Sequence, residues 1–242
     1  MKGTVVFPSG EGGVNKGQLN LGQDAAGTTK QASTSKKNVV TLIFGGAADV
    51  ESYYTQGPNN NTYPIYKLML KYLSEPKIKY IIERKDYSAA KGKDDITKIK
   101  ALIPTTNSYV YIIGHSLGGW NGAHLSQILS DSGYKVSMLV TLDPVGCGAL
   151  VSIGSDIYNA EPKPVADEWI NILCAPANPD PSDDVAEFGE RWIVSSGPKL
   201  NESVNVNHRW ADDIFTAKLS DGKSAYDHVI ESIDKLIGES NV

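Results

Sequence analysis

Cysteine is scarce in this chain of 242 residues. The two present, Cys147 and Cys174, stand at no metal-ligand spacing from a histidine, which excludes a disulfide-stapled scaffold and the usual kind of zinc site. As the sequence leaves it, both are free thiols unless the fold brings them together in an oxidising compartment. Long hydrophobic runs are also missing. Apolar stretches such as Val39 to Phe44 and Val110 to Ile113 fall well short of the roughly 18 residues a membrane-spanning helix needs. Positive charge is not in excess either. The 23 Lys and Arg against 28 Asp and Glu leave a net charge of −5, so bulk electrostatics offers nothing to nucleic acid and no such partner is expected. Met1 to Phe7 holds one charge and a few apolar side chains before Pro8 and Gly10 interrupt it, so no Sec signal is expected. Periodic apolar residues are almost absent from Pro8 to Asn38, where Gly, Ser, Thr, Gln, Asn and Lys dominate. This composition predicts a flexible polar leader over 1–38 and a folded domain over 39–242.

Within that domain the hydrophobic pattern alternates between two periods. Val39-Val40-Thr41-Leu42-Ile43-Phe44 is a continuous β-branched and apolar run stopped by Gly45-Gly46, as expected of a strand buried on both faces. Pro64 to Leu73 spaces its apolar residues three and four apart behind a proline, a helix signal. Further strands are predicted at Lys79–Glu83, Tyr109–Ile113, Ser137–Leu142 and Trp169–Leu173, with another at Arg191–Val194. Helices are predicted from about Asp94 to Leu102, from Ser116, over Ala211–Ala217 and over Ala225–Ile237. Parallel strands need helical crossovers, so the alternation predicts a single α/β domain with a mostly parallel central sheet flanked by helices.

The chemistry concentrates where Val110-Tyr111-Ile112-Ile113 runs into Gly114-His115-Ser116-Leu117-Gly118-Gly119 and then a helical pattern. Gly-x-Ser-x-Gly between strand and helix is the nucleophile elbow, whose glycines clear space around a strained serine backbone. Serine is a weak nucleophile at neutral pH, so a base must take its proton and a carboxylate must orient that base. Of four histidines, His115 is beside the serine but points away, and His124 lies two turns down the following helix. His228 falls inside an amphipathic helix and remains the rival to His208, which belongs to a loop. Asp143-Pro144 closes the strand ending at Leu142, which puts Asp143 on the rim that carries Ser116. The order Ser116, Asp143, His208 is the chain order of the α/β-hydrolase triad. Oxyanion donors are expected from the Leu117 N–H and from Gly46 or Ala47 in the turn after the first strand. Gly146 to Val165 is apolar enough to line an acyl groove or form a lid, with Leu150 and Ile153, together with His115, as substrate-binding candidates. Asn178 to Asp184 gathers carboxylates without the spacing of a calcium loop and is read as a solvated acidic turn. No metal or organic cofactor is expected.

With these residues in place, the segment from about Val39 to Ile237 resembles the α/β-hydrolase superfamily and, within it, the lipases. Gly114-His115-Ser116-Leu117-Gly118-Gly119 is similar to the lipase form of the elbow, and Thr141-Leu142-Asp143-Pro144 to the segment carrying the triad acid in lipases of the pancreatic type. Phe44-Gly45-Gly46-Ala47-Ala48-Asp49, Tyr53-Tyr54, Gly57-Pro58 and Val206-Asn207-His208 followed by Ala211-Asp212 resemble compact bacterial phospholipase effectors of type VI secretion. The resemblance implies hydrolysis of lipid carboxylic esters through an acyl-enzyme. It also implies export without a signal peptide into a target cell envelope, a partner immunity protein, a secretion-apparatus component and peripheral membrane contact at most. A cytoplasmic esterase or thioesterase, or a non-catalytic binding module on the same scaffold, are the competing expectations.

Overall fold

Successive residues of a strand face opposite sides of a sheet, and here both sides are covered. The computed structural model describes residues 36–239. The leader expected over 1–38 therefore lies outside the described residues up to position 35, and its last two positions belong to the first strand, β1 (Lys37–Phe44). Val39 and Ile43 of β1 enter one core, whereas Val40, Leu42 and Phe44 enter the other.

In chain order β1 is followed by α1 (Tyr63–Met69), β2 (Ile78–Lys85), α2 (Lys93–Leu102), β3 (Tyr109–His115), α3 (Leu117–Asp131) and β4 (Lys135–Leu142). Then come α4 (Ala149–Gly154), β5 (Glu168–Cys174), α5 (Pro181–Phe188), β6 (Leu200–Val204), α6 (Ala211–Thr216) and α7 (Ala225–Glu239). All five strand pairings are parallel, in the order β2-β1-β3-β4-β5-β6. One face of the sheet packs Ile65 and Met69 of α1, Ile214 and Phe215 of α6, and Val229 and Ile233 of α7. The other takes Ile96 and Ile99 of α2 with Trp120, Leu125 and Leu129 of α3. Among the described residues no helix is long and apolar enough to cross a membrane.

The predicted strand at Arg191–Val194 is not one. Arg191 makes a single antiparallel bridge to Val145, while Trp192 is buried as loop, stacked on Trp169 and edge-on to Trp120. Trp192 and Val194 read as strand because they fill the core, whereas Ile193 is exposed, and the edge strand on this side of the sheet is the more polar β6.

The strand order places the site. From β1 the chain moves outward to β2, then returns to β3 on the other side of β1 and continues to β6. Connections leaving β1 and β3 thus diverge, which opens a crevice beyond their C-terminal ends.

Candidate active site

Five strand ends contribute to that crevice. β3 passes straight into α3, and the residue between them is Ser116, held at φ 56° and ψ −127°. A positive φ costs a non-glycine residue about 1 kcal/mol or more, so the surroundings must over-determine it. They do: the Ser116 N–H donates to Leu142 O (3.0 Å), and its carbonyl accepts from Gly119 N (2.9 Å) and Val145 N (3.2 Å). A Cβ on Gly114 would lie 2.3 Å from Gly118 O, and one on Gly118 would lie 2.4 Å from Phe44 O, so neither position admits a side chain.

Beside β3, Asp143 leaves the end of β4 at φ 42° with its carboxylate fully buried. His208 lies in the loop between β6 and α6, and its ring bridges the two. The Ser116 hydroxyl donates to His208 Nε2 (2.9 Å), and His208 Nδ1–H donates to Asp143 Oδ2 (2.6 Å). A carboxylate only accepts, so Asp143 selects the imidazole tautomer that leaves Nε2 free to take the serine proton. The structure therefore brings together Ser116, Asp143 and His208. His228 instead sits on α7 beside Asp221 (2.9 Å), and His124 Nε2–H donates to Ala160 O (2.8 Å).

One side chain that the sequence did not single out, Arg191, and one backbone N–H, that of Cys174, converge on Asp143. Arg191 Nε lies 3.1 Å from Asp143 Oδ1 and 2.9 Å from Oδ2, and Arg191 Nη2 donates to Asp183 Oδ1 (3.2 Å). The Cys174 N–H also donates to Asp143 Oδ1 (2.9 Å). Burial alone pushes the Asp143 carboxyl up, but the His208 hydrogen bond and charge, the Cys174 N–H and the Arg191 guanidinium outweigh it and hold it below the usual carboxylate range. Burial and the adjacent Asp143 push the Cys174 thiol up, so it stays protonated, and Cys147 and Cys174 are both free.

The segment Asn178 to Asp184 is not a solvated turn. Asp180 caps α5 in a capping box with Asp183, and Asp183 is buried. It accepts from the His208 N–H (3.1 Å) and Asn207 Nδ2 (2.8 Å), so it fixes the loop that carries the imidazole. Among the described residues no group of three or more His, Cys, Asp or Glu is placed to hold a metal ion.

On the β1 side, a Cβ at Gly46 would lie 2.6 Å from Ser116 Cβ and 3.1 Å from Oγ, so this backbone passes directly against the serine. The turn is anchored by Asp49, fully buried, which accepts from Thr62 Oγ1 (2.6 Å) and Arg84 Nη2 (2.9 Å). Ala47 follows Gly46 in this turn, and Leu117 is the first residue of α3, where helix geometry leaves N–H groups without intrahelical partners.

Of the three substrate-binding candidates, His115 is placed otherwise than expected. His115 is buried, and its Nε2–H donates to the His208 carbonyl (2.7 Å), so it supports the loop from below instead of facing a ligand. Leu150 and Ile153 stand out from α4, 66% and 84% exposed. Within the rest of Gly146 to Val165, Ile157 is core, and Asn121 of α3 donates to Asp156 O (3.0 Å) and accepts from Tyr158 N (3.2 Å), pinning the segment onto α3.

His115 also makes the fold sensitive to acid. Burial, and then the charge of neighbouring His208, lower it from 6.5 to about 4. The unfolded chain therefore binds a proton that the native state refuses, and stability falls as pH drops from 6.5 towards about 4. Asp143, also lowered, adds a loss further down the scale. In His115→Gln, which keeps an N–H for the His208 carbonyl but cannot titrate, most of the first loss is expected to vanish. Urea midpoints at pH 7, 6 and 5 measure it, and an unchanged slope in the variant would assign the acid sensitivity elsewhere.

Neither protein-family models nor curated proteins include a match to this chain. Among solved structures it is similar to YbtT, a type II thioesterase from the yersiniabactin NRPS/PKS biosynthetic pathway, at 9% identity and TM-score 0.42, over 84% of this chain and 94% of that one. It is similar to XC6422 from Xanthomonas campestris, an α/β serine hydrolase without a lid, at 13% identity and TM-score 0.42, over 75% and 78% of the two chains. A serine hydrolase homologue from Coxiella burnetii matches at 16% identity and TM-score 0.35, over 85% and 86%. Overlaps of this extent carry no argument about activity, which rests on the residues themselves.

Proposed function

We propose that this chain is a serine hydrolase that cleaves carboxylic esters of lipids through an acyl-enzyme. The observation that carries the reading is the unbroken line from the Asp143 carboxylate through the His208 ring to the Ser116 hydroxyl, with links of 2.6 and 2.9 Å. Random polar contacts seldom set a carboxylate, an imidazole and a hydroxyl in that order on a strained strand-to-helix turn.

In the proposed reaction His208 Nε2 accepts the Ser116 proton as Oγ attacks the ester carbonyl. The developing oxyanion is held by the Leu117 N–H, helped by its place at the N-terminus of α3, and by the N–H of Gly46 or Ala47. His208 then donates its proton to the departing alcohol. A water that His208 deprotonates attacks the acyl-Ser116 carbonyl and releases the acid.

The lipid part of the reading is supported by apolar side chains left exposed on the segments that flank the site. Tyr54, Leu150, Ile153, Val185, Phe188 and Trp210 are all exposed. Their segments adjoin: Tyr53 OH bonds to Ser155 Oγ just after α4 (2.8 Å), the Gly148 N–H at the start of α4 donates to Gly189 O after α5 (3.2 Å), and the Arg209 N–H donates to Ser182 Oγ of α5 (3.1 Å). A water-soluble ester requires no such rim, whereas an aggregated lipid buries it.

A fluorophosphonate probe tests the reaction class, and a panel of phospholipids, glycerides, short esters and an acyl thioester tests the substrate. The expected result is one adduct, located on Ser116 by peptide mass, with turnover that rises with acyl length on dispersed lipid. No adduct would reject the hydrolase reading, and a preference for the thioester or for short esters would reject the lipid part alone.

A further inference from the structure

Arg191 stands 48 residues from Asp143 in sequence, yet its Nε lies 3.1 and 2.9 Å from the two oxygens of that carboxylate. Its side chain is mostly buried, that of Asp143 wholly so. Its other end holds Asp183, also buried, which ties the guanidinium to the His208 loop and to the start of α5. Oδ1 accepts from the His208 N–H (3.1 Å) and from Arg191 Nη2 (3.2 Å). Oδ2 accepts from Asn207 Nδ2 (2.8 Å) and from the Asp180 N–H (2.9 Å). Asp183 does not touch the imidazole, so it is no alternative to Asp143 as the ring's partner.

We propose that Arg191 and Asp183 form a strap of positioning residues that sets both the geometry and the charge balance of the Asp143–His208 pair. The inference rests on the hydrolase reading above. Geometrically, the guanidinium ties the carboxylate that orients the ring to the carboxylate that holds the ring's own backbone, so the two ends of the Asp143–His208 bond cannot drift apart separately. On the other side the Cys174 N–H fixes one oxygen of Asp143. Arg191 Nε lies against both oxygens while Nη2 holds Asp183, a planar fork between two carboxylates that a lysine ammonium does not reproduce.

The charge balance follows from counting. At rest Asp143 and Asp183 contribute two negative charges, Arg191 one positive and a neutral His208 none. When His208 takes the serine proton the cluster becomes neutral. Without Arg191 the charges of two buried carboxylates, one on the ring and one on the His208 backbone, would go uncompensated and favour the protonated imidazole over the neutral base. The other titratable groups around the ring are His115 from β3, with ring centroids 4.8 Å apart, Cys174 from the end of β5, Asp180 at the start of α5 and Arg209 on the same loop. His115 is kept neutral by burial and Cys174 protonated, so neither substitutes for Arg191.

Three variants separate a strap from an ordinary buried ion pair. In Arg191→Met, kcat is expected to fall about 10- to 100-fold with KM changed less than about threefold, and the acidic limb of kcat/KM to move up by about half a pH unit or more. Arg191→Lys restores the limb by returning the charge but leaves kcat low, because the fork is absent. Asp183→Asn removes a negative charge and should shift the limb the opposite way, downward, which also serves if Arg191→Met does not fold. NMR titration of the His208 imidazole reads the same shifts without turnover. If wild-type turnover does not depend on Ser116, the hydrolase reading fails, and the titration still decides the strap. Folded Arg191→Met and Asp183→Asn proteins with His208 midpoints equal to the wild type overturn the proposal.

Discussion

Replacing His208 with alanine is expected to lower kcat/KM for an ester substrate by about four to six orders of magnitude. The Ser116 hydroxyl donates to no other base: its partner at 2.9 Å is His208 Nε2, and the neighbouring His115 is committed to the His208 carbonyl. Without the imidazole the hydroxyl must lose its proton to water while it attacks, so the acylation barrier rises by the whole contribution of general-base catalysis and proton return. Ser116→Ala should cost about as much, and the double variant no more than either single one, because nucleophile and base act as a unit. Residual activity above the uncatalysed rate would come from the oxyanion donors Leu117 and Gly46 or Ala47, which neither substitution touches. Initial rates over a range of substrate concentrations measure the effect. A His208→Ala protein within tenfold of wild type would remove the imidazole from the mechanism, and His228, paired with Asp221 on α7, is not placed to replace it.

Asp143→Asn is the second large effect, expected at about four orders of magnitude in kcat with less change in KM. The substitution is nearly isosteric, but the amide can turn only one acceptor toward its donors. Asp143 now receives His208 Nδ1–H and Arg191 Nε on Oδ2, and the Cys174 N–H and Arg191 Nε on Oδ1. An amide nitrogen placed on the His208 side forces the imidazole to carry its proton on Nε2, the nitrogen that must accept from Ser116. Placed on the Cys174 side, it sets N–H against N–H in a buried site and leaves Arg191 with Asp183 as its remaining negative partner. Stability should therefore fall as well, by about 1 to 3 kcal/mol for a buried donor left without its acceptor. Thermal unfolding beside kcat separates the two losses: a stable Asp143→Asn protein with near-normal kcat would show that another group orients His208.

These effects come from residues of very different legibility. Ser116 is marked by its neighbours alone, since a β-branched strand, a glycine on each side and a helical pattern lie within one short stretch. Asp143 is marked by the strand before it and the proline after it. His208 carries no local signature and is reached by setting aside the other histidines. Asp183 and Arg191 could not be reached in this way. Asp183 reads as one of several acids in a polar turn, and its bond to the His208 backbone spans 25 residues. Arg191 reads as the start of a strand because Trp192, Ile193 and Val194 follow it. Only one hint was available for Asp183: Asp180-Pro181-Ser182-Asp183 is the pattern of a capped helix start, and a buried cap points inward.

Local pattern was enough to establish β1 to β5, the helices α1, α2, α3, α6 and α7, the parallel sheet they require and the turn that exposes a serine, because hydrophobic period and turn chemistry act between residues a few positions apart. The tertiary structure alone decided that β6 and not Arg191–Val194 closes the sheet, that His115 supports the His208 loop instead of facing a ligand, and that a guanidinium and a second carboxylate brace the imidazole. Such contacts join strand ends that are neighbours only across the sheet, where about 4.8 Å of strand spacing replaces tens of residues of chain.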